Sequence, residues 1–151
     1  KRKNVLKDGI SAVEYLKNQP EQEGRKLVIY GQSLGGHLAA VVASKKSEDI
    51  DGVVIEGAFS SHQDIGATVA GFLARIFIRE MYSAKKSIEK VSKPTLIIHS
   101  TEDETIPFKQ RLKLYENSSE PKYFYEIKGK HIYAPLLYTD SVSSKIHNLI
   151  N

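Results

Sequence analysis

The chain has 151 residues, enough for one domain with a hydrophobic core, and no run of about 18 apolar residues that would span a membrane. It contains no cysteine, which excludes disulfides and thiolate metal sites, and no stretch resembles a secretory signal. The net charge is +4, but basic residues are interleaved with acidic ones, as in Lys45-Lys46-Ser47-Glu48-Asp49, and are not clustered among aromatics, so nucleic acid is not an expected partner.

Leu6, Ile10, Val13 and Leu16 recur at helical spacing and predict an amphipathic helix over 4–18, ended by Asn18 and Pro20. A short buried strand follows over 26–30. A helix is then expected over 34–46, with Leu34, Leu38, Val41 and Val42 on one face and Ala39, Ala40 and Ala43 allowing close approach to a sheet. Residues 52–56 read as a second strand, continuously apolar as parallel strands are. Residues 64–82 carry Ile65, Val69, Phe72, Leu73, Ile76 and Phe77 and predict a longer helix that is apolar over most of its circumference. Packing is its first reading; a cap over an active site, spanning 60–85, and a membrane-surface contact using Arg75 and Arg79 are the alternatives.

Thr95–His99 is a third strand, opened by Pro94, and a helix runs from about Pro107 to Asn117. Lys122–Ile127 is a fourth strand, and residues 135–150 form a closing helix. Strands alternating with helices in this way predict an α/β fold, a parallel sheet of about four strands flanked by helices with right-handed crossovers. The whole of 1–151 reads as one domain.

Residues 27–36 combine a buried strand, the string Gly31-Gln32-Ser33-Leu34-Gly35 and the start of a helix. This G-x-S-x-G pattern in its strand-to-helix setting sets a serine hydroxyl at the tip of a sharp turn. The backbone crowds the serine, so small residues are expected at Gly31 and Gly35. The helix beginning near Leu34 aims its unpaired N–H groups and positive dipole end at the same place, which favours a developing oxyanion.

A serine hydroxyl needs a base, and that base is usually a histidine oriented by a carboxylate. In open parallel sheets functional groups gather beyond the carboxyl ends of the strands. Ser33 follows the first strand, Asp103 the third and His131 the fourth, in the order Ser, Asp, His. His62, after the second strand, is the substitute base. Glu56 is the second candidate for the acid, Asp64 lies in the same region, and Glu102 and Glu104 read as solvated loop charges. His37, His99 and His147 fit less well, because His37 has no local carboxylate and the other two lie on a strand and on the last helix. Neither a metal nor a cofactor is implied.

These segments resemble the C-terminal half of an α/β-hydrolase. Gly31–Gly36 resembles the nucleophile elbow, Asp103-Glu-Thr-Ile-Pro107 the D-x-x-(V/I)-P segment that carries the acid, and Gly129-Lys-His131 the G-x-H loop of the histidine. Val54–Ser60 is similar to the segment after the sixth strand in the Bem46-like serine hydrolases, the group that includes relatives of protein depalmitoylases. The resemblance implies hydrolysis of an acyl ester, thioester or amide through an acyl-serine, with Ser33, His131 and Asp103 as the triad and the Leu34 N–H in the oxyanion hole. Serine at position 33 excludes the aspartate-nucleophile dehalogenases. A small-molecule or lipid-like acyl substrate is the implied partner.

The chain supplies what resemble only the fifth to eighth strands of the family fold. The loop that gives the second oxyanion-hole N–H has no counterpart in it, and one such donor is worth about 10²–10³ in rate. Together with the opening Lys1-Arg2-Lys3, this leads us to expect a piece of a longer polypeptide. The unpaired edge of Leu27–Tyr30 alternatively predicts a homodimer. A non-catalytic domain that oligomerises or binds a ligand is the rival function. A cytoplasmic location is the expectation, with an upstream signal or anchor left open.

Overall fold

A computed structural model describes residues 2–70 and 82–151, and the side chains of 4–67 and 82–151. Strands β1 (Val28–Gln32), β2 (Gly52–Glu56), β3 (Thr95–Ser100) and β4 (Lys122–Ile127) form one parallel sheet in the order β1-β2-β3-β4. Gln32 pairs with Glu56 and Glu56 with Ile98, so the carboxyl ends of the first three strands finish within a residue or two of one level. Helices α1 (Arg2–Lys17), α2 (Leu34–Lys45), α3 (His62–Ala70), α4 (Ala84–Ile88), α5 (Lys109–Asn117), α6 (Ala134–Leu137) and α7 (Thr139–Ile150) make up the remaining described framework.

Strand order that never reverses has a geometric consequence. Right-handed crossovers then return every connecting helix to the same face of the sheet. Val53, Ile55 and Ile97 point to that face and pack with Ala39–Ala43 of α2, Ala84 and Ile88 of α4 and Leu114 of α5; Leu6 and Val13 of α1 join them. The alternate residues Val54, Leu96 and Ile98 point the other way, against Ala134, Val142 and Leu149 of α6 and α7. Strand β2 is fully buried along its length, which explains its unbroken apolar run. Each aliphatic side chain so buried contributes about 1.5–3 kcal/mol.

Three expectations shift. The first strand lies two residues later than predicted, because the glycine at 31 and Gln32 continue the ladder to β2. The closing helix is broken at Tyr138 (φ −131°, ψ 31°), with Pro135 in the first turn of α6. Helix α4 has no counterpart in the sequence reading; it starts after Ser83, which bridges to Ser61. Of the predicted helix 64–82, residues 64–70 fall in α3; residues 71–81, which carry Arg75 and Arg79 and form the middle of the expected cap, lie outside the described residues.

Candidate active site

Ser33 sits between the end of β1 and the start of α2 with φ 53° and ψ −121°. An L-residue pays conformational strain of about 1–3 kcal/mol there, so the surroundings must hold it. They do so through its backbone: its N–H donates to the Glu56 carbonyl at 2.9 Å, and its own carbonyl accepts the His37 N–H at 3.1 Å. A Cβ on Gly31 would stand 2.4 Å from the Gly35 carbonyl oxygen and 2.7 Å from the Ala39 Cβ, so the strand and α2 touch backbone to backbone. Gly36 is similarly confined, with Ala58 and the Gly31 carbonyl 2.9 Å from its would-be Cβ. Gly35 differs from the expectation: among the described residues nothing comes within 4 Å of a Cβ there. The required glycines of the turn are therefore 31 and 36. Leu34 opens α2 with its side chain half exposed, at the helix end whose N–H groups have no intrahelical acceptor.

Asp103 and His131 are brought together. The Nδ1 of His131 lies 2.7 Å from the Asp103 Oδ2, and the Asp103 side chain is only 1% exposed. The other oxygen, Oδ1, accepts the backbone N–H groups of Thr105 (2.9 Å) and Ile106 (2.8 Å), which fixes the carboxylate in its loop. An aspartate accepting from Nδ1–H leaves the Nε2 of His131 as the basic nitrogen. That atom is buried and has no hydrogen-bond partner among the described residues. Ser33 Oγ makes no hydrogen bond to it. The two are linked through one stretch of backbone: Ser33 bonds the Glu56 carbonyl, and the His131 ring lies against Gly57, 3.1 Å from where a Cβ would stand. Gly57 has φ 54°, so both its conformation and its contact with the ring call for glycine.

The histidine loop is stitched to the acid loop at a second place. Ser100 Oγ donates to the Gly129 carbonyl, and the Gly129 N–H donates to Glu102 at 2.9 Å. Glu102 is thus a loop tie and not merely a solvated charge, whereas Glu104 is exposed. His99, which the sequence only places on a strand, has a part in the site. It is buried beneath Asp103, with Nε2 2.9 Å from the Ile106 carbonyl and 3.5 Å from the Asp103 Oδ2. Burial pushes its pKa down, so it stays neutral and donates from Nε2. No periodicity could have revealed this role.

The alternatives for base and acid are taken up elsewhere. His62 packs edge-on against His37 and Phe59, and no carboxylate contacts it among the described residues. His37 is buried, its Nδ1 3.1 Å from the Phe59 carbonyl. His147 is exposed on α7 beside Asn151. Asp64 is buried in an ionic cluster with Lys85 and Lys113, each at 2.8 Å, and with the Ser60 hydroxyl. Burial works to raise its pKa, but the two lysines and Ser60 outweigh it and hold the carboxyl well below the usual range. Glu56 is buried as well, and both its oxygens accept from groups other than His131.

Beside Leu34 lies a small apolar cavity of about 100 Å³, walled by Val5, Leu34, Leu38, His62 and Tyr82. The side chains of Val69, Phe72, Leu73, Ile76 and Phe77, on the apolar stretch expected to pack or cap, lie outside the residues whose side chains are described. Among the described residues no cluster of three or more His, Asp and Glu could hold a metal ion, and no helix is long and apolar enough to cross a membrane.

A serine raised on a strand-to-helix turn, with an aspartate-bound histidine on the same edge of a parallel sheet, is the arrangement of the α/β-hydrolases, and that is the class of this fold. Known proteins place it further. The chain belongs to the prolyl oligopeptidase family, whose profile matches residues 1–128. It is 33% identical over 112 residues to protein bem46 of Schizosaccharomyces pombe, covering 72% of this chain and 38% of that one. It is 32% identical over 134 residues to the uncharacterized protein YfhR of Escherichia coli K12, covering 85% and 46%. The chain therefore spans less than half the length of these relatives. In structure it is similar to the esterase domain of a Rhodothermus marinus protein, with a TM-score of 0.71 and 18% identity over 97% of this chain and 69% of that one.

Proposed function

We propose that the protein containing this chain is a serine hydrolase that opens an acyl ester, thioester or amide. In this reading the Nε2 of His131 takes the proton of Ser33 as Oγ attacks the acyl carbon. The Leu34 N–H donates to the oxyanion of the tetrahedral intermediate. The proton on His131 passes to the departing alcohol, thiol or amine, leaving an acyl-Ser33. Water then gives a proton to His131 and its oxygen to the acyl carbon, and the proton returns to Ser33 as the acid leaves. Asp103 holds the imidazole tautomer throughout and stabilises the imidazolium.

The observation that carries this reading is the 2.7 Å contact of Asp103 with His131, with the opposite ring nitrogen unengaged. The small apolar cavity that Leu34 helps to wall supports an acyl substrate. A fluorophosphonate probe tests the reading. A single adduct by intact mass, absent from Ser33→Ala, is the expected result; labelling that survives in Ser33→Ala removes the scheme.

One observation favours a second reading, a non-catalytic ligand-binding or oligomerising domain: Ser33 Oγ and His131 Nε2 are not hydrogen-bonded. Catalytic hydrogen bonds are often long until substrate binds, so this weighs less than the Asp103–His131 pair. No adduct with the folded chain would favour the second reading.

A further inference from the structure

Glu56 ends the central strand β2 and is 1% exposed. A buried carboxylate needs either a cation or several donors. No cation contacts it among the described residues; three donors do. Its Oε2 accepts the Tyr30 hydroxyl and the Gln32 Nε2, the latter at 2.8 Å, and its Oε1 accepts the Ala134 N–H at 2.8 Å. Burial, and then the bond and charge of Glu56, push the Tyr30 hydroxyl far above its ordinary pKa, so Tyr30 remains a donor.

The donors come from the two segments that must meet for chemistry. Tyr30 and Gln32 belong to β1, and Gln32 directly precedes Ser33. Ala134 lies three residues beyond His131, and Gln32 also reaches the carbonyl of Ile132 at 3.4 Å. Ile132 has φ 55°, a conformation disfavoured for a β-branched side chain, so this loop is held by its contacts. The backbone of Glu56 does the same work from below. Its carbonyl takes the Ser33 N–H, and the next residue, Gly57, is the surface on which the His131 ring rests.

We propose that Glu56 is a positioning residue that fixes the His131 loop against the Ser33 turn, and not the acid of the relay. This assignment rests on the triad reading above. It also puts a buried carboxylate under the loop that carries the imidazole, bonded to the Ala134 N–H three residues beyond His131. Asp103 and, behind it, His99 face the His131 ring; Glu56, with its donor Tyr30, is bonded to the backbone of the same loop at Ala134. A carboxylate at Glu56 favours the imidazolium; an amide there does not.

The experiment is a side-chain NMR titration of His131, run alongside fluorophosphonate labelling against pH, in Glu56→Gln, Tyr30→Phe and the unaltered chain. Glu56→Gln is expected to lower the His131 midpoint by about half a pH unit or more and to slow labelling roughly tenfold near neutrality. Tyr30→Phe keeps the charge but removes one of its donors, so it is expected to raise the midpoint. Opposite shifts are something a purely structural role would not produce. A His131 midpoint within about 0.2 units in both variants, with labelling within about twofold, overturns the assignment. If Glu56→Gln does not fold, Tyr30→Phe decides on the same criteria. Failure of the triad reading is separately visible: the unaltered chain is then not labelled at Ser33, while the titration still decides the role of Glu56.

Discussion

Two glycines of the same motif are expected to answer alanine in opposite ways. At Gly31 the new Cβ meets the Gly35 carbonyl oxygen at 2.4 Å, the Gly35 carbonyl carbon at 2.7 Å and the Ala39 Cβ at 2.7 Å. Real Cβ contacts essentially never fall below 3.0 Å, so the backbone of α2 has to retreat by about 0.6 Å at the place where it is anchored to the sheet. Overpacking of this kind costs about 1–3 kcal/mol, and the upper end applies because backbone, not a flexible side-chain tip, must give way. At Gly35 the same methyl enters open space in the first turn of a helix, where alanine is favoured by up to about 1 kcal/mol. The assay is urea unfolding followed by far-ultraviolet circular dichroism. For a slope of about 1.5 kcal/mol per molar, Gly31→Ala lowers the midpoint by about 2 M while Gly35→Ala leaves it unchanged or raises it by up to about 0.7 M. A Gly31→Ala protein within about 0.5 kcal/mol of the parent, or a Gly35→Ala protein that falls with it, would refute the contact argument.

Ser33→Gly is expected to remove all fluorophosphonate labelling and yet stabilise the fold by about 1 kcal/mol, since it releases the strain at φ 53° at some entropic cost; a lowered melting temperature would contradict this. Asp64→Asn is expected to cost about 3 kcal/mol, the lower end for a broken buried pair because Lys113 is more than a third exposed. The folded-state pKa of Asp64 lies below its ordinary 3.8, so its contribution is full above that value and fades as the pH falls beneath it. Urea midpoints of parent and variant should therefore converge in acid and stay apart near neutrality. Among the described residues strand β1 has β2 on one side and no strand on the other, so a concentrated solution should contain dimers by light scattering; a clean monomer would count against edge pairing.

What the sequence made legible follows from periodicity and strand order. Helices show in apolar residues recurring at a spacing of 3.6 and buried parallel strands in short continuous apolar runs, and Asp103 and His131 stand out because parallel strands deliver their functional groups at one edge. The destinations of buried polar side chains carry no such period. Glu56 reads as a spare acid in the sequence, whereas its oxygens are taken by Tyr30, Gln32 and Ala134. Asp64 and Lys113 are 49 positions apart, and nothing local pairs them. Gly35 and Gly36 are indistinguishable as letters; only the packing of α2 against Ala58 and Ile55 shows that the second is the confined one. The break at Tyr138 escaped because both α6 and α7 satisfy one helical pattern, and Pro135 fits the first turn of either a single helix or a short one.

The uninterrupted strand order also shapes how the chain can fold during synthesis. Each strand pairs with the one made just before it, so the sheet can grow by accretion, each new strand docking on the edge left by the last. The face covered by α2, α4 and α5 is sealed step by step as those helices emerge. The opposite face has no such schedule. Val54, Leu96 and Ile98 must wait for α6 and α7, the last segments of this chain to leave the ribosome, and until then they present a water-exposed apolar strip. Nascent chains halted before residue 134 should accordingly be the species most prone to capture by chaperones.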